Sequence, residues 1–238
     1  EYQQKEASRQ LLLDFWSEPQ ESERRHREDG IYTSYWLESQ GKRIQVLLPD
    51  LRWNRPPLQR VSDEEYQRDK KPQNLGPYLP SSDPHQTMLG ETQWRWLENE
   101  LLKPADLRIL GSSIQLLSLQ SGWESWANFP YDRKRLLHLI GMHRINNLVI
   151  ISGDSHFGEV SKLDLPDQQA LWEVTSSGLT REWNQPAPNQ RRVGTAYTSV
   201  NYGEILVNWD AGTVDLNLKD VDGKAVISHR LPLQTSGI

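Results

Sequence analysis

The chain has 238 residues, a net charge of −5, 36% hydrophobic and 25% charged side chains. That length suits one large or two small domains, and 10 Trp, 8 Tyr and 3 Phe exclude an aromatic-poor disordered polymer. No apolar run approaches the roughly 20 residues of a membrane helix, and the acidic balance argues against a general nucleic-acid-binding surface. The absence of cysteine rules out disulfides, thiolate metal sites and a cysteine nucleophile.

In chain order, the first predicted element is an amphipathic helix over residues 5–16. Leu11, Leu12, Phe15 and Trp16 fall near one face at a 3.6-residue period and are its expected buried stripe. A charged connection over 17–29 ends at Gly30. Ile31–Leu37 and Arg43–Leu48 read as two strands joined by a turn at Gln40-Gly41-Lys42, the second nearly all apolar and so central. Residues 56–90 form a long polar, Pro-rich stretch without a period, of the length that is usually functional or disordered. A second helix covers 91–102, with Trp94, Leu97, Leu101 and Leu102 as its stripe, stopped by Pro104.

Leu107–Gln115 reads as a strand entering a small-residue turn. A third helix spans 131–143, with Leu136, Leu137 and Ile140 facing its core. Asn147–Ser152 is a buried strand. This alternation over 91–152 is an α/β rhythm. From about residue 165 an antiparallel region is expected, with strands at 171–175, 196–201, 204–210, 213–219 and 225–230. Ala211-Gly212 and Asp222-Gly223 supply hairpin turns. The α/β body is thus about 1–160 and the antiparallel part about 165–238, together one domain.

The sharpest chemical signal is Gly153-Asp154-Ser155-His156 directly after a buried strand, where ligand-binding groups of open α/β folds gather. In extended backbone Asp154 and His156 project to one side, and carboxylate plus imidazole suits a metal ion. The same residues also read as a plain turn with Asp154 as a cap. His26, His85, His138, His143 and His229 read as surface or packing residues. Ser112-Ser113 lacks the G-x-S-x-G pattern of a nucleophile elbow. Arg52 and Arg55 follow the strand that ends at Leu48, and their guanidiniums suit a phosphate or carboxylate; an ion pair with Asp50 is the alternative. Gly122–Pro130, with Trp123 and Trp126, is either the aromatic wall of a cleft or a loop packed on the core.

Taken in order, Asp14-Phe15-Trp16, Gly30–Tyr35, Leu48-Pro49-Asp50-Leu51-Arg52, Met88–Leu97, Trp126–Arg133, Gly153–His156 and Glu173–Thr180 resemble the alkaline phosphatase D family of calcineurin-like metallophosphoesterases. The resemblance spans nearly the whole chain. It implies a two-sheet α/β sandwich ending in antiparallel hairpins, hydrolysis of phosphomonoesters and phosphodiesters by a metal-activated water, and iron and calcium as metals. It also implies that Asp154 and His156 are metal ligands. Arg52, Asn54, Arg55, Gln115 and Trp126 are the candidate substrate-binding residues, from their positions after strands. The family's earlier Gly-Asp-x-x-Tyr and Asp-Asp-His-Asp segments have no counterpart here. The expectation is therefore a C-terminal portion of a larger domain, whose N-terminal half supplies the other ligands, with a phosphate ester as substrate; export to the periplasm is compatible with the resemblance. The alternatives are an inactive fragment or interaction module of the same fold, and a Trp-rich carbohydrate-binding protein.

Overall fold

A computed structural model describes residues 3–119, 121–166 and 168–234. Its frame is a six-stranded mixed sheet, with a separate three-stranded antiparallel sheet. β1 (Thr33–Ser39) and β2 (Lys42–Leu48) form an antiparallel hairpin. Its two turn residues, Gln40 and Gly41, both have positive φ, the backbone twist that two-residue hairpins favour. β2 then pairs in parallel with β3 (Leu107–Ser112), β3 with β4 (Leu148–Ser152), and β4 with β6 (Leu171–Ser176). β5 (Gly158–Leu163) closes the far edge antiparallel to β6.

The connections between parallel strands carry the long helices, α4 (Gly90–Leu101) and α5 (Pro130–Met142), which follow α1 (Lys5–Phe15) and the short α2 (Glu23–His26) and α3 (Asp63–Glu65). Strand alternation sends Leu47, Leu110 and Ile150 to one face. There they join Trp94, Leu97 and Leu101 of α4 and Leu136, Leu139 and Ile140 of α5 in a single core. Asp132, in the first turn of α5, pins this layer. Its carboxylate accepts from the Met88 amide (2.6 Å), Thr87 Oγ1 (3.0 Å) and Trp94 Nε1 (3.2 Å). Burial nevertheless pushes its pKa up.

The opposite face holds Leu107, Val149, Val160 and Val174. These meet Val214, Leu216 and Leu218 of β8 (Thr213–Lys219), the central strand between β7 (Tyr202–Asn208) and β9 (Ala225–Pro232). The turns at Gly212 and Gly223 both have positive φ, as the hairpin reading requires. The small sheet does not reach across this whole face: Tyr35, Leu37 and Ile151 stay exposed on it.

Several expectations are corrected. The stripe of α1 is reversed: Leu13 is the residue buried, while Leu11 (69% exposed), Phe15 (78%) and Trp16 (70%) face outward with Leu12. The helix is held instead by polar contacts, with Lys5 and Arg9 over the Trp53 ring and Arg25 on Asp14 (2.6 Å). In α4, Leu102 lies outside the stripe as an exposed C-cap. Residues 196–201 form no strand and contribute one bridge, Tyr197 to Gly158, while β5 was not anticipated. β6, placed by sequence in the antiparallel part, is parallel to β4 and belongs to the main sheet. The 56–90 stretch contains a helical run over 63–73, started by Ser62, whose Oγ accepts from the Glu65 amide at 3.2 Å.

Candidate functional site

The four parallel strands β2, β3, β4 and β6 point their carboxyl ends at one rim, so the segments that follow them meet there. After β2 come Asp50–Arg55; after β3, Ser113–Gln115; after β4, Gly153–His156; after β6, Ser177. A cleft of about 410 Å³ opens at this rim, and its walls include Gln115, Glu124, Asp154, His156 and Arg181.

Asp154 and His156 share this cleft, although not for the reason that spacing offers. The backbone there is not extended. Both residues are left-handed, with φ of 68° and 61°. Such conformations cost a non-glycine residue energy and persist where the surroundings over-determine them. Here the Ser177 hydroxyl accepts from the His156 amide (2.6 Å), and the His156 carbonyl accepts from the Trp183 amide (2.8 Å). His156 is thus clamped between β6's exit and the loop after it.

Arg181 lines the cleft with the pair, and two more cationic side chains converge on Glu124 at its edge. Arg52 bonds Glu124 and lies 3.8 Å from the Asp154 carboxylate. Arg55 Nη1 is 3.1 Å from the same Glu124 as an ion pair, with its Nε and Nη1 buried. The Arg52–Asp50 and Arg55–Asp50 ion pairs do not form. Asp50 instead caps backbone, accepting from the amides of Ile31 (3.1 Å), Arg52 (2.9 Å) and Trp53 (3.0 Å). These bonds turn the chain after β2 so that Arg52 and Arg55 reach the rim.

The other three candidates are placed differently. Asn54 Nδ2 donates to the Leu89 carbonyl at 2.6 Å and packs against Gly90, whose positive φ and missing Cβ admit it; a Cβ there would sit 2.8 Å from Nδ2. Asn54 therefore joins the Arg52–Arg55 turn to the start of α4. Gln115 borders the cleft but is nearly buried, with Nε2 donating to Glu159 (2.7 Å) and Thr175 (3.0 Å). Trp126 has no exposed surface. Its ring packs on Trp94 and its Nε1 donates to Ser112 Oγ (3.1 Å), so of the aromatic loop only Trp123 reaches the cleft.

Behind Gln115 lies a buried polar layer that sequence reasoning missed. Glu173 on β6 accepts from the amides of both Leu116 and Leu117 at 2.7 Å, and burial raises its pKa to about 7. Glu159 on β5 accepts from Gln115, Asn189 and Arg192. Arg133 and Arg191 donate to the carbonyls of Leu116 and Leu117, and burial lowers the Arg133 pKa to about 10. Together they fix the loop that carries Gln115, Trp123 and Glu124.

The described residues contain no group of three or more His, Asp or Glu side chains placed to hold a metal ion. Asp154 and His156 supply two donors, whereas a reactive metal centre needs several donors and supporting contacts around them. The residues described here do not by themselves fit a complete centre.

Comparison with known proteins gives a consistent picture. A family model described as PhoD-like phosphatase matches residues 5–224. The alkaline phosphatase D of Bacillus subtilis (strain 168) is 30% identical over 131 residues, covering 50% of this chain and 22% of that protein. A solved structure titled "Structure of PhoD" superposes with a TM-score of 0.58 at 17% identity, over 85% of this chain and 40% of the other. The chain therefore spans less than half the length of either relative.

Proposed function

Given that the chain belongs to the PhoD-like phosphatase family, we propose that its cleft is one wall of a phosphoester-hydrolysing site acting on phosphomonoesters, phosphodiesters or both. The observation that carries this reading is the meeting of Asp154 and His156 in the cleft at the common rim of four parallel strands, with Arg52 3.8 Å from the Asp154 carboxylate. Arg55 pairs with Glu124 (3.1 Å) beside the cleft, and the more exposed Arg52 carries the guanidinium chemistry that suits a non-bridging phosphate oxygen. Arg52, shared between Glu124 and Asp154, balances charge at the mouth. Asp50 and Asn54 hold the turn that presents both arginines.

Asp154 and His156 would contribute two donors to a metal centre, with iron and calcium as its metals, only if further donors joined them from outside the described residues. A metal held there would neutralise phosphate charge and acidify water. Both residues combine a left-handed backbone with a place in the cleft lining.

The test is hydrolysis of p-nitrophenyl phosphate and bis(p-nitrophenyl) phosphate, with metal content measured on the same preparations. Asp154→Asn and His156→Ala should each lower turnover and bound metal together, by at least about tenfold in turnover. His143→Ala, at the end of α5, should change neither. Full turnover and full metal in the Asp154→Asn/His156→Ala double variant would show that Gly153–His156 is only a turn.

A further inference from the structure

Beside the charged rim, the cleft has a wall that the phosphoester reading does not use. Tyr78, Trp123, Phe157 and Trp183 line it next to Asp154 and His156. The rings come from separate irregular segments, yet they meet in order. Tyr66 packs edge-on against Trp123 (centroids 6.4 Å, 80°), and Trp123 against Trp183 (5.9 Å, 74°). Edge-to-face contact between rings is favourable and fixes their mutual tilt, and both Trp123 and Trp183 border the cleft while still half-buried.

The polar needs of both indoles are already met. Trp123 Nε1 donates to the Asn74 carbonyl (3.4 Å) and Trp183 Nε1 to the Gln185 carbonyl (2.7 Å). The wall is also fixed in place. The Gly76 amide donates to Ser121 O (2.9 Å) and the Tyr78 amide to Gly122 O (2.8 Å). Gly76 and Gly122 touch so closely that a Cβ on Gly76 would fall 2.3 Å from the Gly122 carbonyl oxygen. On the other side, the Trp183 amide is bound to the His156 carbonyl. Half-buried indoles held rigidly beside a charged rim pay little ordering cost when a flat ligand arrives. A cleft of about 410 Å³ is also in the size range of pockets that enclose ligands larger than a bare anion.

From this geometry we infer that Trp123 and Trp183 form a subsite for a flat aromatic substituent on the phosphate ester. The inference rests on the phosphoester reading of the same cleft. It assigns the substrate class as esters carrying an aryl or nucleobase group, with the phosphoryl end toward Asp154 and His156.

The test is binding of phenylphosphonate and methylphosphonate to the protein by calorimetry, two probes that differ only in the group the wall would meet. Phenylphosphonate should bind about tenfold tighter, the effect of one aromatic stacking contact. Trp183→Leu and Trp123→Leu should each cut that preference to below about threefold, and Trp183→Phe, which keeps a ring, should retain most of it. Adenosine 5′-monophosphate against ribose 5-phosphate, run alongside, tells the sources apart: a nucleotide site shows the preference in both pairs, an aryl-ester site in the first pair only. Equal binding of the two phosphonates to the unmodified protein, or a preference that survives in the Trp123→Leu/Trp183→Leu variant, would overturn the aromatic subsite alone. Binding of neither phosphonate would remove the phosphoester reading itself, and the subsite with it.

Discussion

On the face of the six-stranded sheet that meets α4 and α5, Leu47, Leu110 and Ile150 are at most 1% exposed, whereas on the opposite face Tyr35, Leu37 and Ile151 keep 46%, 55% and 37% of their surface. The same β1–β4 strands contribute to both faces, and their alternation is equally regular on each. The difference comes from what lies on top. Two helices span the first face, while the three-stranded sheet packs on the second around Val149, Val160 and Val174 and leaves the β1–β2 side bare. An apolar strand face is therefore a demand for cover, and the chain meets it fully on one side and partly on the other.

The largest effect should come from opening the closed face. Trp94 is fully buried between the sheet and α5, so Trp94→Ala should cost about 3–5 kcal/mol, read as a shift in the urea midpoint with the slope unchanged. A loss below about 1 kcal/mol would mean that the two faces are not packed as differently as their exposure indicates.

A second measurement sharpens the comparison, because the closed side also buries a carboxyl. Glu173 follows Leu171 on the same strand face, completely buried, with Glu159 adding to the burial penalty and Arg133 and Arg191 nearby. Its pKa rises from the ordinary 4.5 to about 7 in the fold. Between these two values the unfolded chain has released the proton and the native protein still holds it. Stability contributed by the neutral acid is therefore complete below about pH 4.5 and is lost as pH climbs to about 7, with a total on the order of 3 kcal/mol. Urea midpoints taken across that window should fall with pH, and Glu173→Gln should flatten the slope. A Gln variant whose slope matches the unmodified protein would place the titration elsewhere.

The smallest effect is expected on the bare face. Leu37→Ser should change stability by no more than about 0.5 kcal/mol, since the side chain is already more than half in water. A loss of about 2 kcal/mol would break the comparison, showing that another layer or another copy covers this face in solution.

How much of this was legible in the sequence follows from how local the determining forces are. β2 and β4 announce themselves as apolar runs, α4 and α5 as periodic stripes, and the terminal hairpins as Ala211-Gly212 and Asp222-Gly223 turns. Helix α1 has the same period, but its orientation is set by Arg9, Arg25 and Trp53, contacts that no periodicity encodes. β5 escaped notice because Glu159 and Ser161 look solvent-facing and are instead buried by partners dozens of residues away. At the site, Asp154, His156, Arg52 and Arg55 were visible because strand ends concentrate at one rim. Glu124, Arg181 and Trp183 were not, since they sit in irregular loops and gain meaning only from the neighbours that folding brings. The aromatic segment showed its composition but not its division, with Trp126 turned into the core and Trp123 turned out.

The left-handed backbone at Asp154 has an evolutionary edge. A glycine accepts a φ of 68° without penalty, so Asp154→Gly would relieve about 1 kcal/mol of conformational cost while deleting the carboxylate. The substitution requires a single nucleotide change. The relief is offset by the extra freedom a glycine has in the unfolded chain, so the position tolerates loss of the acid at little cost to stability, and the carboxylate stays there only while something other than the fold selects for it.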